Sequence, residues 1–170
     1  MAKINKIQKR RRAREITLKM CYLLDVRRIE EPETAIELFE VFLQQNPESD
    51  EYVLEYAREL ISGIIETRFE IDGLIRMNMT GWRPERMGII DRAAVYLALY
   101  EGLIGQKVDV PVAISEAVEL ARLFASDESA RFVNGVLGKI VRASPYADSV
   151  LPVENGGSDA ETGEMDRKEL

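Results

Sequence analysis

Apolar residues fall three and four positions apart along most of this chain, and only amphipathic helices can bury that spacing. Between about Lys9 and Arg27, Ala13, Ile16, Met20, Leu23 and Leu24 share one helical face. A second helix opens at Pro32, carries Ile36, Phe39, Val41, Phe42 and Leu43, and ends before Asn46-Pro47. Pro32 suits a first helical turn, where its missing N–H is not needed. Ser49 or Asp50 caps a longer helix with the stripe Val53, Tyr56, Leu60, Ile64, Ile65, Phe69 and Ile71. Gly63 and Gly73 lie inside that stripe and predict a close packing contact or a bend. No segment alternates as a strand would. The expected class is all-α.

The second half repeats the pattern. A very apolar helix from about Ile89 to Leu103 reads as the central core element, ended by Gly102 and Gly105. Pro111 opens the next helix, with Ile114, Ala117, Val118, Ala121 and Phe124 inward. Ser126 caps the last, which carries Phe132, Val133, Val136, Leu137, Ile140 and Val141 up to Ser144-Pro145. About seven helices in two small bundles are expected, in lobes of about 9–78 and 84–145 joined by a linker at Asn78–Pro84. Residues 1–8 read as a flexible basic arm. Residues 146–170 are acidic and poor in apolar groups, and read as a disordered tail.

Composition narrows the chemistry. The chain has no histidine and one cysteine, Cys21, expected to be buried. The commonest general base is absent, a cysteine nucleophile lacks its usual partner, and metal sites built from His and Cys are excluded. Catalysis, cofactors and metals are therefore not expected. Neither is a membrane span, and the expected location is the cytoplasm.

Charge is unevenly placed. The net charge is −7, yet residues 1–14 hold Lys3, Lys6, Lys9, Arg10, Arg11, Arg12 and Arg14 with no acid among them. A phosphate responds to the nearby field more than to distant net charge. Guanidinium groups bond phosphate bidentately and stack on bases. A helix with an apolar side would hold such a fan over one surface, so nucleic-acid binding is one reading. A solvated basic face is the other. Arg131 beside Phe132 pairs a phosphate contact with a ring that can stack on a base, although Phe132 also fits the core stripe. Asn134 and Gly135 are poor helix formers in mid-helix, and Gly135 predicts another helix crossing closely.

Five segments then resemble the NusB family of bacterial transcription antitermination factors, in order and at natural spacing over residues 9–143. They are Arg10–Glu15 followed by Tyr22, Glu59–Gly63 with Ile71–Ile75, Ile90–Ala93 through Leu97–Glu101, Val112–Ala121, and Phe132–Leu137. The resemblance implies a non-enzymatic adaptor that binds single-stranded boxA-type leader RNA of ribosomal RNA operons. It implies joint binding with NusE, a ribosomal small-subunit protein, and loading onto the RNA polymerase elongation complex with NusA and NusG. By the matching motif Arg10, Arg11, Arg12 and Arg14 face RNA, Arg131 and Phe132 extend that surface, and Tyr22 and Glu101 face NusE. Tyr96 stands where the family has arginine, which implies altered lobe contacts. The alternative is a helical scaffold or homodimer acting through protein contacts without specific RNA binding. Some RNA cytosine methyltransferases carry a NusB-like domain before their catalytic domain, but no Gly-rich cofactor loop follows a strand here.

Overall fold

A computed structural model of the chain describes residues 2–81 and 86–144, with side chains from residue 5 onward. Seven α-helices cover these residues: α1 Ala2–Arg27, α2 Pro32–Gln45, α3 Glu51–Glu66, α4 Arg68–Asn78, α5 Ile89–Ala98, α6 Val110–Phe124 and α7 Asp127–Ala143. A π-helical segment, Leu99–Ile104, continues α5. The described residues contain no strand, so the all-α expectation holds.

α1 is the shared element. It packs on α3 on one side and on α5 on the other. That double contact buries Ala13, Ile16, Leu18, Met20 and Leu24, and with them the polar Arg14 and Thr17. Thr17 satisfies its hydroxyl locally, donating to the Ala13 carbonyl at 2.9 Å. The helix starts at Ala2 rather than near Lys9, because no glycine or proline interrupts residues 2–8. The residues expected to form a flexible arm are its first turns. Its C-terminus closes when Arg28 turns to φ 56° and the Ile29 N–H reaches the Leu24 carbonyl at 2.9 Å.

The expected third helix divides in two. Thr67 bonds the Gly63 carbonyl through both its N–H, at 3.0 Å, and its hydroxyl, at 2.6 Å. The chain restarts as α4 in a new phase. Ile71 and Ile75 stay buried, but Phe69 is turned outward and left 88% exposed, against its expected place in the stripe. Asp50, not Ser49, caps α3 by accepting the Val53 N–H at 3.2 Å.

One core runs through all seven helices, and α4 reaches across to α7. The two halves are also tied by polar bonds. The Arg92 guanidinium bonds Asp25 on α1, and the Tyr96 hydroxyl donates to Asp72 on α4. Tyr96 thus supplies a contact between the halves. Burial, reinforced by the bond to Asp72, pushes its phenol well above the ordinary range. Cys21 is only partly buried. The expected linker residues Trp82, Arg83 and Pro84, and the expected tail at 146–170, lie outside the described residues.

Two glycines let helices meet closely, and two others stand open. A Cβ on Gly63 would lie 1.8 Å from Tyr100 Cζ, so α3 and the π segment meet there with no room for a side chain. Gly102 plays the same part against α6, where a Cβ would lie 2.8 Å from Ala113 Cβ. Gly135, expected at a helix crossing, instead has nothing within 4 Å of its would-be Cβ and sits on the open face of α7. Gly73 likewise meets nothing.

Candidate nucleic-acid interface

The arginine run lies on α1 where that helix passes between the α2–α3 turn and α6. Spacing along the helix sends the side chains in different directions, and their fates differ accordingly. Arg11 is the most exposed, at 60%, and it grips Glu116 of α6. Its Nε donates to both carboxylate oxygens at 3.1 and 3.2 Å, and its Nη2 to one of them at 3.1 Å. Arg12 is part-buried and bonds Glu48 at 3.1 Å and Glu15 at 3.3 Å. Arg10 is also part-buried; its Nε donates to the Tyr52 hydroxyl at 3.1 Å and its guanidinium lies over the Tyr56 ring, 5.2 Å from the centroid. Lys9 meets Asp50 at 2.7 Å.

Arg14 does not face outward. Its side chain is 3% exposed, and Nε donates to both oxygens of Glu101 at 3.0 and 2.8 Å. Glu101 was expected to face a protein partner, yet it is fully buried. It follows the buried Ala94 by seven residues and Leu97 by four, so it continues their inward face and meets Arg14 of α1 and Tyr56 of α3. The Tyr56 hydroxyl completes the cluster, donating to Glu101 at 2.5 Å. Burial and then the bond to Glu101 raise the Tyr56 phenol far above its ordinary range, so it remains a donor. Arg14 and Glu101 are therefore internal partners that fix α1 against the core, and neither is available to RNA or to a protein in this arrangement.

Carboxylates ring the fan. Glu48 accepts the Ser49 and Asp50 N–H groups at 3.0 and 3.1 Å, and these backbone bonds together with Arg12 hold it below the usual carboxylate range. Lys9, helped by the Val53 N–H, does the same for Asp50. Glu116 raises Arg11 above its ordinary value, as Glu48 and Glu15 do for Arg12.

The remaining expected residues lie elsewhere. Arg131 is exposed on α7 and Phe132 is partly buried, lining a cleft with Arg86, Gly88, Asp91, Ser126 and Ser129. α6 packs against both α1 and α7 but contributes no residue to this cleft. Tyr22 is 40% exposed at the edge of an apolar groove formed with Leu18, Leu23, Phe42, Ile90 and Phe124. The sequence did not mark Tyr52 or Glu48 as part of this surface, and Glu116, with Glu119 one turn on, reads there as an ordinary solvated face. The signal for Tyr52 was available: Tyr52 and Tyr56 repeat at four residues, as Arg10 and Arg14 do, which matches two facing helices.

The family model for NusB matches residues 11–142. The chain belongs to the NusB family. A curated relative, the transcription antitermination protein NusB of Symbiobacterium thermophilum, is 39% identical over 140 residues, covering 78% of this chain and 89% of the relative. Among solved structures, T. maritima NusB aligns with a TM-score of 0.68 at 33% identity, covering 79% of this chain and 91% of that one. A crystal structure of antitermination factors NusB and NusE in complex with dsRNA aligns with a TM-score of 0.72 at 26% identity, covering 81% and 98%. The matched region contains the whole described fan except Lys9 and Arg10. No helix among the described residues is long and apolar enough to cross a membrane.

Proposed function

We propose that this NusB-family chain is a non-enzymatic, cytoplasmic transcription antitermination factor that binds boxA-type leader RNA of ribosomal RNA operons together with NusE. The observation that carries the RNA reading is the placement of Arg11 and Arg12 toward solvent on a helix anchored by the buried Arg14–Glu101 pair. A rigid helix spares the side chains part of the ordering cost of binding. Arg10, Arg11 and Arg12 would contact phosphate, while Arg131 and Phe132 would add a further phosphate contact and a stacking face. Tyr22 and its apolar groove would receive NusE, and the complex would act on the RNA polymerase elongation complex with NusA and NusG.

Titration of a single-stranded boxA RNA, a scrambled control and a duplex of the boxA sequence, each with and without NusE, tests this. The boxA strand should bind best, and NusE should tighten it. With about four phosphate contacts the slope of log affinity against log salt should be about −3, from ~0.7 per contact. Changing Arg11 and Arg12 together to Ala should flatten that slope by about 1.4. Equal binding of boxA and scrambled RNA would reduce the site to general phosphate affinity. Tighter binding of the duplex would overturn the single-stranded reading. A stable dimer whose mass RNA does not alter would favour a protein scaffold instead.

A further inference from the structure

Glu116 has two partners of opposite character. Arg11 is 60% exposed and holds the carboxylate through Nε and Nη2, whereas Arg14 is 3% exposed and reaches it through Nη1 at 3.4 Å. Glu116 itself is 16% exposed. The carboxylate therefore sits at the boundary between the buried cluster and the solvent-facing fan. Its forked contact with Arg11 has the geometry that a phosphate would use.

We propose that Glu116 is an exchangeable carboxylate gate on the fan, resting on the RNA-binding reading above: it occupies Arg11 in the free protein and is retained by Arg14 when an RNA phosphate takes Arg11. A carboxylate left alone near the core would be costly, but here Arg14 keeps it paired after Arg11 departs. Arg14 in turn never depends on Glu116 alone, because Glu101 holds its Nε. Arg11 is free to move, since an exposed ion pair contributes little to stability. Glu48 is suited differently. It also holds the backbone N–H groups of Ser49 and Asp50, so it is fixed in the turn and cannot follow a departing partner. The other acid that acts on Arg11 from α6 is Glu119, one turn on, and it is taken up by Arg122. Glu116 is thus the group whose charge a phosphate must replace at Arg11.

The test is a titration of single-stranded boxA RNA against the full chain and three variants, Glu116→Gln, Glu66→Gln and the Arg11→Ala/Arg12→Ala pair. Glu116→Gln keeps the side-chain shape and removes the competing charge. It should bind about threefold tighter at about 50 mM salt, the effect of one unit charge several ångströms from the phosphate in a water-like medium. The gain should fade by about 1 M salt, where screening acts within about 3 Å. Glu66 is exposed at the far end of α3, about 20 Å from Tyr52 by helical rise, and Glu66→Gln should match the unaltered chain. Weakened binding by the Arg pair with unchanged or weaker binding by Glu116→Gln would overturn the gate while leaving the RNA reading intact. Unchanged binding by the Arg pair would overturn both. The unaltered chain gives a second readout that needs no substitution at Glu116. On adding RNA the Arg11 Nε–H resonance should shift and the Arg14 Nε–H should stay, and a stationary Arg11 signal would also overturn the gate.

Discussion

Arg14 Nε lies 2.8 Å from Glu101 Oε2, and both side chains are sealed from solvent between α1, α3 and the π segment. A buried pair gains its attraction only after a large desolvation cost, so its net contribution is modest while removal of one partner is severe. Glu101→Ala should therefore destabilise the protein by about 3–5 kcal/mol, because it leaves the buried Arg14 with only its longer contact to Glu116 and removes the acceptor of the Tyr56 hydroxyl. Replacing both charges together, by Arg14→Met with Glu101→Leu, should recover much of that loss. Urea unfolding of the single and double variants measures both. A double variant no better than the single one would mean that the pair stabilises in its own right.

Gly63 and Gly135 predict opposite responses to the same substitution. At Gly63 an added methyl would meet the Tyr100 ring, so Gly63→Ala should cost about 1–3 kcal/mol by overpacking. Gly135 is helical, exposed and unopposed, so Gly135→Ala should stabilise by about 0.5–1 kcal/mol through the lower entropy of the unfolded chain. Thermal melts of the two variants should move in opposite directions.

Those two glycines also show what could be read from sequence. Helical periodicity located the elements because burial of an apolar face is a short-range constraint that leaves a mark every three or four residues. It could not separate a glycine under a ring from one in open water, since both interrupt a stripe in the same way. The same limit governed the arginines. Arg10 through Arg14 look alike as a string, but the helix turns each by about 100°, so one is carried into the core and another into solvent. Glu101 shares the spacing of the buried Ala94 and Leu97, but nothing in the string of residues near it names Arg14, 87 positions earlier, as its partner. The family blocks were legible because several segments matched in order, and they located the fan without assigning its partners Glu48, Tyr52 and Glu116.

Arg28 ends α1 with φ 56°, a left-handed conformation that suits glycine far better than a residue with a Cβ. The closing bonds there use only backbone, with the Arg28 N–H reaching the Asp25 carbonyl at 3.1 Å. Arg28→Gly should keep them and relieve about 1 kcal/mol of strain. A higher unfolding midpoint at unchanged RNA affinity is the expected outcome. A lower midpoint would show that the arginine side chain contributes more than its backbone costs.

Acid should loosen the α2–α3 turn before it unfolds the core. Glu48 is held below its ordinary range by the Asp50 N–H and by Arg12, and Asp50 is held down by Lys9. A carboxyl with a depressed folded value contributes stability above its unfolded value, near pH 4.3 for Glu and 3.9 for Asp, and loses it as pH falls toward the folded value. The protein should therefore lose stability as pH drops below about 4.5. Glu48→Gln should be less stable than the unaltered chain at neutral pH, and its melting temperature should fall less steeply between about pH 4.5 and 3. Hydrogen exchange at Ser49, Asp50 and Val53 should rise first, because their N–H groups are held by these two carboxylates. Parallel melting curves for the two proteins across that range would show that Glu48 titrates alike in the folded and unfolded states.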